Sequence, residues 1–269
     1  MSALMLDKKN AVIYGGGGAI GGAIARVFAR EGARVFLAGR TQSKLDAVAS
    51  DIAAVGGAVE TAQVDVLDPQ AVNAHADAIA ATAGHLDIAV NAVSIMHDQG
   101  KVLAELSVEE FMHPIDDFLK ASFITSQAVA RHMGGDRPGV IISLSEPGAK
   151  LTVGGILGHG VSAAGKEAFS RLLAAELAPR NIRVVDIRPH AVTDAPEADS
   201  YTQELFKPFA ESGGQTVRQF LDDGMAQATL LKRLPTLSDV AETAAFLASD
   251  RAGAITGTVV NLTGGAIAD

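Results

Sequence analysis

The sequence predicts an α/β fold: one Rossmann-type doubly wound parallel sheet of about seven strands, with helices on both faces. Three observations lead there. Short β-branched runs alternate with longer Ala-rich segments whose apolar residues recur at helical spacing, from residue 11 to the end of the chain. The strand-like runs are short and read as apolar on both faces, as a parallel sheet covered on both sides by helices requires. A glycine cluster follows the first run and leads straight into a helix.

Taken in order, a strand at 11–14 runs into the glycine turn at 15–18 and a helix at 19–31, which Gly32 closes. A strand at 34–38 is followed by a helix at 42–55, closed by Gly56, and a strand at 58–64 by a helix at 69–83. Pro69 occupies a first-turn position, where its missing N–H costs nothing, and Gly84 supplies a left-handed close. Strands at 87–91, 140–144, 182–187 and 258–262 alternate with a long helix at 108–133 and helices at 162–178 and 237–248. Residues 192–227 carry no strand signal and two helical fragments. A segment of that length between a strand and a helix predicts a substrate lid. No repeat, linker or low-complexity tract divides the chain, so one domain over 1–269 is expected.

Composition narrows the function. Lys+Arg number 22 against 31 Asp+Glu, a net charge of -9 that repels a phosphate backbone, so nucleic acid is not expected as a partner. The absence of cysteine excludes disulfide-stapled and metal-thiolate folds, and no His/Asp/Glu set has metal-ligand spacing. No uncharged stretch reaches the 18 or so apolar residues of a bilayer span, so no membrane partner is expected. The N-terminal MSALMLDKKN lacks the pattern of an export signal, and a cytoplasmic protein is expected.

Strand, glycine turn and helix start, in that order, set backbone N–H groups and the positive helix end around a pyrophosphate. Gly15, Gly18 and Gly21 let the chain turn tightly and approach such a ligand without a Cβ in the way, and Ile20 lies between them. After the second strand, Gly39 stands where NAD-binding units place a carboxylate, and Arg40 and Thr41 follow. A guanidinium there pairs with a 2′-phosphate that a carboxylate would repel, so NADP(H) is preferred over NAD(H). Asp65, in Val64-Asp65-Val66 at the end of the third strand, sits on the same edge and can accept from an adenine amino group.

These residues resemble the short-chain dehydrogenase/reductase family over essentially the whole chain. The glycine turn is similar to the family's TGxxxGxG, Val64-Asp65-Val66 to its adenine-contacting segment, and the run ending at Asn91 to the strand that opens NNAG. Arg188-Pro189, Phe246 to Asp250, Ile255-Thr256-Gly257 and Gly264-Gly265 match its later segments. The resemblance adds Val66, Asn91 and Val192 to the cofactor set. It also implies a small-molecule substrate and a homo-oligomer, commonly a tetramer, built on the two long helices.

The resemblance further implies an Asn-Ser-Tyr-Lys tetrad, and here the chain departs from the pattern. Counted back without a gap from Glu176-Leu177-Ala178-Pro179, the tyrosine position falls on His159 and the lysine position on Ala163. The serine position falls on Glu146, with Ser145 before it, and the asparagine position on Phe118. A gapped placement sets Lys166 at the lysine and Ser162 at the tyrosine, and the spacing of the enoyl reductase branch pairs His159 with Lys166. On the ungapped placement His159 becomes the acid/base, Glu146 holds its other nitrogen and favours imidazolium, and Lys166, on the same helix face, steers an anionic substrate group. The expected activity is NADP(H)-dependent reduction of a small carbonyl or activated alkene. The alternative is an NADP(H)-binding sensor or partner subunit without catalysis. His97 and His190 are expected at the carboxyl edge of the sheet, and His75, His85, His113 and His132 on the surface.

Overall fold

Every strand is bounded by a turn or helix that sends the chain back over the sheet, and the result is all-parallel. The computed structural model describes residues 4–97, 99–198 and 200–268. Strands β1 (Asn10–Tyr14), β2 (Arg34–Gly39), β3 (Val59–Gln63), β4 (Ile88–Asn91), β5 (Gly139–Leu144), β6 (Ile182–Pro189) and β7 (Thr258–Leu262) form one seven-stranded sheet in the order 3-2-1-4-5-6-7. The order reverses between β1 and β4, whose register pairs Tyr14 with Asn91. Their carboxyl ends therefore part to leave the crevice in which open α/β sheets bind ligands.

Helices α1 (Ala19–Arg30), α2 (Gln42–Ala54) and α8 (Leu237–Ala248) cover one face. Helices α3 (Pro69–Ala83), α4 (Val108–Ala130) and α5 (Leu157–Leu177) cover the other. Local chemistry fixes several ends. Asp68 caps α3 by accepting from the amides of Gln70 and Ala71, Gly84 closes it in the left-handed region, and Ser107 with Glu110 forms a capping box on α4. Gly32 and Gly56 close the turns after α1 and α2 with positive φ, as their positions predict.

Two expectations change. Helix α5 begins at Leu157 rather than at 162, because glycines that lower helix propensity here serve packing. A Cβ on Gly158 would lie 2.8 Å from the Phe111 carbonyl oxygen, and one on Gly160 would lie 3.1 Å from that of Gly148. Strand β3, Val-Glu-Thr-Ala-Gln, is not apolar on both faces, since it is the sheet edge and leaves Glu60 and Gln63 in solvent. The 192–227 segment holds α6 (Thr202–Ser212) and a short α7 (Val217–Gln219) that continues as a π turn at Phe220–Met225. It carries its own apolar cluster of Ala210, Val217, Leu221 and Ala226, closed by Leu234.

Candidate active site

Two adjoining cavities occupy the carboxyl edge of the sheet. The larger, about 490 Å³, is lined by Gly15, Gly18, Arg40, Thr41, Asp65 and Val66, all expected there, and by Lys44. Its floor is cut to backbone dimensions. Gly15 has φ 81°, and a Cβ there would stand 2.4 Å from the Ala92 carbonyl oxygen, while one on Gly21 would stand 2.2 Å from that of Gly15. Gly18 is the N-cap of α1 and offers no side chain to its first amides, so those donors are left for a ligand. Arg40 is exposed and ion-pairs with no carboxylate among the described residues. Asp65 accepts from the Leu67 amide at 3.0 Å, which fixes its turn. These features fit an adenine dinucleotide.

The smaller cavity, about 280 Å³, shares Ala19, Ala92, Val93, Ser94, Ser200 and Tyr201 with the first. Ile20 and Val192 line it and pack in one apolar cluster, so both lie at the junction. Asn91, at the end of β4, donates to Thr125 Oγ1 at 3.3 Å and accepts from the Val93 amide. Glu146 and His159 line the small cavity from the end of β5 and from α5. Lys166, two turns along α5, lies beneath. Its Nζ is 2.6 Å from Glu146 Oε1 and 4.3 Å from the centre of the Phe118 ring.

His159 is held by its surroundings. Its ring stacks on His97 with centroids 4.7 Å apart and planes 5° from parallel, and a Cβ on Gly148 would lie 2.7 Å from its Cδ2. His97 donates from Nδ1 to the Ile95 carbonyl at 2.8 Å, which leaves Nε2 to accept from Gln99. One residue to either side of the Glu146–Lys166 pair, Ser145 donates to Glu167 Oε1 at 2.7 Å, and the buried Arg188 pairs with both oxygens of Glu167. These contacts lock the end of β5, α5 and β6 together.

Three electrostatic expectations are corrected. Burial pushes the His159 pKa down to about 4 against the opposing field of Glu146, so the ring is neutral imidazole and not imidazolium. Glu146 bonds Lys166 instead of the second imidazole nitrogen. Lys166 is 5% exposed and its ammonium is committed to that pair, so it does not steer an anion from solvent.

The other histidines divide differently from expectation. His97 and His190 sit at the carboxyl edge, with burial lowering the pKa of each. His75 is half-buried, packing edge-on against Tyr14, and burial pushes its pKa down to about 4. His113 is exposed, whereas His85 and His132 are half-buried and pair with Asp87 and Asp77. Sequence reasoning missed Lys44, whose signal was its place four residues after Arg40. It also missed Gln99 and Tyr201, which carry no periodic or motif signal at all. Among the described residues no group of three His, Cys, Asp or Glu is placed to hold a metal ion, and no helix is long and apolar enough to cross a membrane.

Comparison with known proteins agrees with this geometry. A family model described as enoyl-(acyl carrier protein) reductase matches residues 17–266. An uncharacterized oxidoreductase of Mycobacterium tuberculosis is 33% identical over 267 residues, spanning 97% of this chain and 92% of the relative. The 3-oxoacyl-(acyl-carrier-protein) reductase FabG of Escherichia coli is 30% identical over 260 residues, spanning 96% and 97%. A solved short-chain dehydrogenase of Burkholderia cenocepacia, in complex with NADP, superposes with a TM-score of 0.82 at 27% identity over 98% of this chain and 100% of that one.

Proposed function

The chain belongs to the short-chain dehydrogenase/reductase family and is an NAD(P)-dependent oxidoreductase, and we propose that it uses NADP(H) to reduce a small carbonyl compound or activated alkene with His159 where the family resemblance implies a tyrosine. The observation that carries this reading is the pair of joined cavities, one shaped for a dinucleotide and the other walled by His159 and Glu146. The dinucleotide, when bound, supplies a hydride from its nicotinamide ring.

The chain supplies the rest. Gly15, Gly18 and Gly21 admit the pyrophosphate, Arg40 meets the 2′-phosphate, and Asp65 with Val66 borders the adenine. Ile20 and Val192 would border the nicotinamide end, and Asn91, which lines neither cavity, would shape it from behind by holding Thr125 and the Val93 amide. His159, kept neutral, donates an N–H to the substrate oxygen as charge develops there, the electrophilic role open to an uncharged imidazole. Glu146 and Lys166 form a charge-balanced floor, whose carboxylate is the more exposed partner at 26% against 6%. Apolar walls from Leu144, Val153, Ile156, Leu205 and Phe206 select a small, largely apolar substrate and raise the strength of each polar contact. A cytoplasmic homo-oligomer belongs to the same proposal. Its assembly is supported by Phe123 on α4 and Leu172 on α5, both exposed.

The test is His159→Phe. Turnover of a carbonyl panel with NADPH falls about 100-fold or more, as for loss of an oxyanion donor, while NADPH affinity by calorimetry is unchanged. Retained turnover removes His159 from the mechanism.

A further inference from the structure

A neutral imidazole polarises a carbonyl but is a poor source of the proton that the reduced oxygen must receive. The other polar groups around the smaller cavity narrow the choice of donor. Glu146 is a carboxylate paired with Lys166, and the Lys166 ammonium lies behind it over the Phe118 ring, 5% exposed. His190 accepts from the Ala191 amide through Nδ1, and burial disfavours its charged form. Ser94, Ser145, Ser200 and Thr202 are aliphatic hydroxyls, of which Ser145 donates to Glu167 and the last two are bonded to each other. One phenol remains.

We propose that Tyr201, brought to the carboxyl edge by the segment between β6 and α8, is the proton donor of the reaction. The inference rests on the reductase reading above and assigns a group that reading leaves open. Tyr201 lines both cavities, so it stands where dinucleotide and substrate meet. Its ring packs edge-on against His97, with centroids 6.4 Å apart and planes at 61°, and His97 is the ring on which His159 stacks. The phenol and the polarising imidazole are thus held by one shared neighbour, itself pinned by Ile95 and Gln99. The Tyr201 hydroxyl makes no hydrogen bond to any described residue, and the residue is half-buried on the wall of both cavities, so its proton can meet a ligand oxygen. The only other tyrosine, Tyr14, is 1% exposed under α3 and cannot serve. Burial and the nearby Glu146 raise the Tyr201 pKa, which keeps the phenol protonated at neutral pH.

The balance is complete. The carbonyl carbon gains the hydride, the C=O π pair moves to oxygen, and that oxygen takes the phenolic proton as the Tyr201 O–H bond breaks. Water returns a proton to the phenolate. The substrate is reduced and NADPH is oxidised.

The experiment is Tyr201→Phe, which deletes an oxygen that bonds no described residue and so leaves folding intact. Two arms are read. On whichever of cyclohexanone, acetoin or ethyl acetoacetate the wild type reduces fastest, kcat falls about 100-fold or more, as for loss of a general acid, with the Kd of NADPH within about twofold of wild type. Isobutyramide, a carbonyl acceptor that is not reduced, binds the NADP-loaded variant about tenfold more weakly by calorimetry. A variant that keeps more than about a tenth of wild-type kcat, or that binds isobutyramide as the wild type does, overturns the proposal. If the wild type reduces none of the three ketones, the carbonyl reading fails by itself, and the isobutyramide arm still decides for or against Tyr201.

Discussion

The two cavities share one sheet edge and six wall residues, yet they are built by opposite means. The larger cavity is backbone: a turn whose glycines approach other main chain more closely than any Cβ permits, with Arg40 exposed at its rim. The smaller cavity is side chains, drawn from the end of β5, from α5 and from the 192–227 segment, and underpinned by ion pairs largely taken out of water. In the first, function depends on what is absent from the chain, so added volume is the damaging change. In the second it depends on which charges are neutralised and by whom, so substitutions of equal volume matter.

The largest effect that would expose this difference is at Gly21. A Cβ there would fall 2.2 Å from the Gly15 carbonyl oxygen, so Gly21→Val must open the turn. NADPH affinity is expected to fall more than about 100-fold, some 3 kcal/mol, with a near-native circular dichroism spectrum. Gly154→Ala is the control, since nothing lies within 4 Å of the added methyl. Equal NADPH binding by wild type and Gly21→Val in titration would show that the turn is not a cradle.

An intermediate effect tests the charged half. Asp186 on β6 is fully buried. Its Oδ1 accepts from Ser170 at 3.1 Å, its Oδ2 has no partner, and burial raises its pKa from 3.8 to about 7. Between those values the folded protein holds a proton that the unfolded chain has released, so this group's contribution to stability falls as pH rises from about 4 to 7. Asp186→Asn keeps the acceptor and removes the titration. Its melting temperature should exceed that of wild type by about 4 °C or more at pH 8, with the gap closing at pH 5. His75 and His159, buried and neutral, act in the opposite direction below pH 6.5, but equally in both proteins. A gap independent of pH would mean that Asp186 is not protonated in the fold.

The same contrast explains how far the sequence could be read. The seven parallel strands, the helices on both faces and the glycine turn were legible because they rest on contiguous runs: apolar strands, Pro69 at its helix start, and glycines spaced within one turn. Glu146, His159 and Lys166 were singled out by position, and the structure does bring Glu146 and His159 to one cavity with Lys166 below. Their ionisation was not legible, because it depends on contacts between residues far apart in the chain. Glu146 looks from sequence like a partner for His159, but Lys166 lies nearer, and the ring stacked on His97 is shielded from the water that would stabilise its charge. The start of α5 was missed for a related reason, since Gly158 and Gly160 read as breakers until the approach of α4 and Gly148 is known. Tyr201 lies in a segment whose only regularity is its small apolar cluster.

The smallest expected effect belongs to Arg40, and it sharpens the cofactor half most. The side chain is exposed, so its pairing with a 2′-phosphate is weakened by water and salt and contributes modestly. Arg40→Ala should raise the Kd of NADPH about tenfold, or about 1.4 kcal/mol, and leave that of NADH unchanged. Arg40→Asp should go further and favour NADH, because a carboxylate accepts from ribose hydroxyls and repels the phosphate. The loss for NADPH should shrink as ionic strength rises, which a change in the shape of the turn would not do. If Arg40→Ala weakens both dinucleotides equally, the guanidinium supports the wall of the cavity rather than choosing between them. Lys44, on the same wall in the first turn of α2, would then become the residue to test for that choice.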